Sequence, residues 1–139
     1  MKHDMAEPDL NAKLLDAAIQ GDLLTLLKAL EMGADIDTLH PESRASPLIF
    51  TAGNGHVDCV AALLRAGANI ETSNLNDYTA LMAAVERGWP KVVALLLQNG
   101  ADWSDDWGVI LMEGSSEERA EIEALLLARR EKHELENLI

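Results

Sequence analysis

Cysteine occurs once in these 139 residues, as Cys59, so no disulfide can form within the chain. Aromatic residues make up 4% against 48% hydrophobic residues overall, a balance that suits Leu/Ala-rich helix stacking and not a β-sandwich. Basic residues are scarce too. Eleven Lys and Arg face 24 Asp and Glu, a net charge of −13 with a pI near 4.5. Such a chain repels phosphates and anionic lipid, which excludes nucleic acid and membrane as partners and favours a monomer. No apolar run approaches a membrane span, and the opening MKHDMAEPDL lacks an apolar signal core, so a cytoplasmic protein is expected. His3, His40, His56 and His133 lie scattered, without metal-ligand spacing. The stretch from Gly108 to Gly114 has no Lys after its second Gly, so it is not a phosphate loop. No metal, cofactor or catalytic group is expected, and the chain reads as a non-enzyme.

What is present is a repeated unit. In SPLIFTAGNGHVDCVAALLRAGANI, residues 46 to 70, Ser46 is a helix cap and Pro47 suits the first turn. Leu48, Thr51 and Ala52 share one face of a short helix, and Asn54-Gly55 breaks it. A second helix carries Cys59, Val60, Leu63 and Leu64 on its inner face and stops at Gly67, a left-handed position. YTALMAAVERGWPKVVALLLQNGADW repeats the pattern, with Thr79, Leu81, Gly88, Leu96 and Gly100 each 33 residues after its counterpart. Upstream, AKLLDAAIQGDLLTLLKALEMGADI places Gly21 and Gly33 34 residues before Gly55 and Gly67. Asp9 or Asn11 is expected to cap the first helix, and Leu14, Leu15, Ala17 and Ala18 to face its neighbour.

A period of 33 to 34 is that of the ankyrin repeat. SPLIFTAGNGH and YTALMAAVERG resemble that family's T-P-L-H-x-A-A-x-x-G-H opening, and LLRAGANI and LLQNGADW its close. The resemblance covers roughly residues 11 to 127. It departs where Ile49 and Met82 replace the usual His, and where the first unit lacks the Thr-Pro-Leu opening, as an amino-terminal cap would. A degraded fourth unit shows Leu111 and then Glu121 to Leu127, with Ser115 or Ser116 and Glu118 in a capping arrangement. The expected fold is an all-α ankyrin-repeat solenoid of about four helix-turn-helix repeats with terminal caps. A polar leader spans 1–10, and the domain 11–139 divides into repeats at about 11–43, 44–76, 77–106 and 107–139.

The resemblance implies a protein-binding surface made by finger loops and the exposed ends of the first helices. Carried onto this sequence, it selects Glu42, Ser43 and Asn54 in the second unit. In the third it selects Leu75, Asn76, Tyr78, Glu86 and Arg87, and in the last Asp105, Asp106 and Trp107. Tyr and Trp are favoured at binding hot spots. His56 is read as a structural hydrogen-bonding residue, Trp89 as local packing and Trp103 as packed against the last helices. From Asp102 to Glu123 eight acids face Arg119 alone, so the negative charge gathers at one end. The expected function is a non-enzymatic interaction module for a protein partner. The alternative is an acidic inhibitor or antidote that blocks a basic surface of a target enzyme, suggested by charge, small size and the lack of an effector domain.

Overall fold

The computed structural model describes residues 9–103 and 115–138. Seven helices appear among them, and no strand. They are α1 (Leu10–Gln20), α2 (Leu23–Glu31), α3 (Pro47–Gly53), α4 (Val57–Arg65), α5 (Ala80–Arg87), α6 (Pro90–Gln98) and α7 (Ser116–Asn137). Each start has a chemical reason. The Asp9 carboxylate accepts from the N–H groups of Asn11 and Ala12, which makes Asp9 the cap of α1. Ser46 Oγ accepts from Ile49 N–H at 3.2 Å, and Thr79 Oγ1 from Met82 N–H at 3.3 Å. At α7 the Ser115 and Glu118 side chains each satisfy the other's backbone N–H, a capping box. Glu118 therefore sits in the first turn of α7.

Helices pair as α1 with α2, α3 with α4 and α5 with α6, and the pairs stack. α1, α3 and α5 form one row, α2, α4 and α6 a second, and α7 packs on α6. Equivalent positions form continuous buried columns. Leu14, Leu48 and Leu81 are each at most 1% exposed, and so are Leu26, Val60 and Val93. Full burial of such side chains is worth about 1.5–3 kcal/mol each, so every pair depends on its neighbour for much of its core. Trp103 packs against this core as well.

The first pair differs where a preceding repeat would sit. Pro47 and Cys59 are buried, but their counterparts Lys13 and Thr25 are exposed. Lys28 is likewise exposed where Ala62 is buried. The amino-terminal end face is therefore polar, whereas the outer side of α2 shows Leu24 and Leu27, 78% and 44% exposed. Among the described residues no helix is long and apolar enough to cross a membrane.

Between pairs, the chain makes two finger hairpins. In the first, His40 N–H donates to Ala45 O and Arg44 N–H to His40 O; in the second, Asn74 N–H donates to Tyr78 O and Asp77 N–H to Asn74 O. Arg44 and Asp77, both at φ 61, are the equivalent turn residues. One extra residue in the first turn accounts for the change of period from 34 to 33. Leu75 N–H then donates to Ser43 O at 3.0 Å and ties the fingers together. Acidic side chains serve the same stacking. Asp37 Oδ1 accepts from Asn69 N–H at 2.9 Å, and its counterpart Glu71 accepts from Asp102 N–H at 2.8 Å.

Candidate functional site

Where the two fingers overhang α3 and α5, a groove of about 500 Å³ opens. Its floor is low because Gly53 and Ala83 face each other there; a β-carbon on Gly53 would lie 3.6 Å from that of Ala83. Ser43, Asn76 and Tyr78 line it from the fingers, and Asn54, Glu86 and Arg87 from the helix ends. Six of the residues selected from sequence thus share one concave space. Two more lie outside it: Leu75, 63% exposed at the fingertip, and Glu42, exposed on the first finger. Asp105, Asp106 and Trp107 fall outside the described residues.

The lining is held by local chemistry. Asn54 Nδ2 donates to Ile19 O at 3.3 Å, which ties the end of α3 to the first pair. Asn74 Oδ1 accepts from Asn76 N–H at 2.8 Å and Tyr78 N–H at 3.1 Å, so a single carboxamide shapes the second fingertip. Glu86 beside Tyr78, first as a hydrogen-bond acceptor and then by its charge, holds the phenol above the ordinary value of 10.0. Asn74, Phe50 and Ala83 also line the groove and were not among the selected residues. Asn74 stands 34 residues after His40, in the corresponding loop.

Two aromatic rings also do structural work between repeats. His56 Nε2 bonds to Ile19 O at 3.1 Å, in line with its expected role. Trp89 stands at the equivalent position, and its Nε1 donates to Gly53 O at 2.8 Å. The expectation of local packing for Trp89 is corrected: its partner lies 36 residues away, in the preceding repeat.

The arrangement offers surface and hydrogen-bonding groups. Cys59 is buried, and burial, then the charges of Asp58 and Asp22, push its thiol upward, away from the reactive thiolate. Among the described residues no three His, Cys, Asp or Glu side chains gather as a metal site.

Known proteins share this pattern. A family model described as ankyrin repeats (3 copies) matches residues 14–106. Inversin from Gallus gallus is 32% identical over 87 residues, which is 63% of this chain and 8% of that protein. The B-cell lymphoma 3 protein homolog from Mus musculus is 39% identical over 77 residues, 55% of this chain and 17% of its own length. The ankyrin repeat and KH domain-containing protein mask-1 from Caenorhabditis elegans is 34% identical over 97 residues, 69% of this chain and 4% of its own. The chain thus spans less than a fifth of each of these relatives.

Proposed function

Because this chain belongs to the ankyrin-repeat family, typically a non-enzymatic interaction domain, we propose that it binds a protein partner through the groove and the fingertips beside it. One observation carries this reading. Ser43, Asn54, Asn76, Tyr78, Glu86 and Arg87 come from four separate stretches of chain and line a single groove. Exposed Leu75 stands on the same finger as Tyr78, its N–H bonded to the groove-lining Ser43. A low floor between polar walls suits an extended segment of a partner, with Tyr78 and Leu75 as apolar anchors.

Affinity capture from a native lysate tests it, comparing the wild-type chain with a Leu75→Ala, Tyr78→Ala variant and with Leu24→Ala on the outer side of α2. The reading expects a partner kept by wild type and Leu24→Ala and lost by the finger variant. Capture by all three, with circular dichroism unchanged, would move the interface away from the groove.

The net charge of −13 favours a second reading, an acidic inhibitor of a basic protein surface in the cytoplasm, working as a monomer. Glu117, Glu121 and Glu123 are exposed at the start of α7 and would contribute to it. Charge-driven association weakens steeply with salt. An affinity that is flat between about 0.05 M and about 0.5 M salt would exclude this second reading while leaving the groove in place.

A further inference from the structure

The two fingers follow one plan, although the first has one more residue and its Ser43 Oγ accepts from Ala45 N–H at 3.2 Å, and a different atom shapes each tip. In the second finger it is Asn74 Oδ1, which accepts from the N–H groups of Asn76 and Tyr78. In the first it is an imidazole nitrogen. His40 Nδ1 accepts from Glu42 N–H at 3.2 Å and Ser43 N–H at 3.4 Å. Backbone N–H groups only donate, so Nδ1 must carry a lone pair, which fixes the neutral ring with its proton on Nε2. A carboxamide oxygen keeps its lone pairs at any mild pH. An imidazolium has none, because both of its nitrogens donate.

We propose that His40 makes the first finger, and through it the groove, sensitive to mild acid. The inference rests on the groove reading only for its consequence in binding; the change in the finger stands apart from it. Once Nδ1 is protonated, two N–H groups lose their acceptor and face a positively charged donor. Ser43 is one of those two residues, and its carbonyl receives the single bond from Leu75 that ties the fingers together. Ser43 and Ala45 also line the groove. Protonation at one atom therefore reaches the turn, the link between fingers and one wall of the groove.

Asp37, Glu42 and Arg44 belong to the loop of His40, and Asp77 to the neighbouring finger. From α3 the ring meets Phe50 edge-on, with centroids 5.8 Å apart, and α3 carries no charged residue. His56 provides a contrast within the same chain. Its Nε2 sits on a carbonyl oxygen and so acts as a donor, a bond that an imidazolium also makes. Among the described residues, only His40 has a ring lone pair in use by backbone N–H donors.

Nuclear magnetic resonance on the full chain tests this without knowledge of any partner. Long-range proton–nitrogen correlation at about pH 8 should show His40 with Nδ1 unprotonated. Between about pH 8 and about pH 5, the range in which histidines change charge, the Glu42, Ser43 and Leu75 amides should move together with the His40 ring. The Leu75 amide, corrected for its intrinsic rate, should exchange roughly tenfold faster at the acid end, as expected for losing one or two weak hydrogen bonds. In His40→Asn, which copies the second finger, these amides should hold still over the same range. A proton on Nδ1 at pH 8, or the same acid response in His40→Asn, would overturn the proposal. If that variant fails to fold, the wild-type ring state and its coupling to Leu75 decide alone. A finger that responds while partner affinity does not would leave the switch intact and count against the groove reading.

Discussion

The indole of Trp89 lies so close over Gly55 that a β-carbon there would be 2.6 Å from the ring. His56 covers Gly21 in the same way, at 2.5 Å. Each glycine also has a positive φ, 73° and 72°. The close approach lets a ring of one repeat reach a carbonyl of the repeat before it, and this sets how the pairs stack.

Replacing Gly55 with Ala should therefore cost both backbone strain and a steric clash, about 2 kcal/mol or more. Gly33 separates the two effects, because its φ is 105° but nothing lies within 4 Å of an added β-carbon. Gly33→Ala should cost only the strain, about 1 kcal/mol. Urea denaturation reads both, and equal losses would mean that Trp89 moves aside freely.

Trp89→His copies the solution already used at position 56. It retains a ring N–H for the Gly53 carbonyl, so it should be more stable than Trp89→Ala by about 1 kcal/mol, the net value of one hydrogen bond. Thermal melts of the two variants side by side decide this, and identical midpoints would assign Trp89 a purely apolar role.

Ser46 and Thr79 cap equivalent helices in different surroundings. Ser46 is 1% exposed and Thr79 is half-buried. Loss of a cap costs about 1 kcal/mol, and a buried N–H left without its acceptor adds to that. Ser46→Ala should then be worse than Thr79→Ala; the reverse order in chemical denaturation would show that water reaches the Ile49 N–H.

Acid should weaken two helix starts. Hydrogen bonds from the Thr25 hydroxyl and backbone N–H hold the Asp22 carboxyl below its ordinary 3.8, and bonds from the Ser115 backbone N–H and hydroxyl hold Glu118 below 4.5. A lowered folded-state pKa stabilises above the unfolded value and is lost as pH falls through the folded one. The contributions are thus complete at neutral pH and fade below about pH 3.8 for Asp22 and about pH 4.5 for Glu118. Asp22→Asn still caps but does not titrate. Its stability difference from wild type should shrink as pH falls through this window, and a difference constant from about pH 7 to about pH 2.5 would rule the linkage out.

Much of the fold was legible because repetition makes each residue testable against its counterparts. Ser46 with Thr79, Leu48 with Leu81, and Gly67 with Gly100 revealed caps, core and turns before any coordinates. The groove was legible in part for the same reason, since fingertip positions recur at the repeat period. Asn74 was missed because turn-holding residues look like ordinary polar loop residues until their N–H partners are known. Trp89 was misassigned because a sequence shows its neighbours along the chain and not across the stack. Asp37 and Glu71 counted only as charge, although each carboxylate accepts a backbone N–H from the next repeat.

By itself the sequence determined the helical units, their period and their capped ends, because these follow from apolar spacing and from residues acting within four positions of one another. Only the tertiary structure decided which polar groups meet. The Trp89 bond to Gly53, the Leu75 link to Ser43 and the Asp37 bond to Asn69 depend on how far one repeat is set from the next. That distance is a property of the packed stack, and no single repeat carries it.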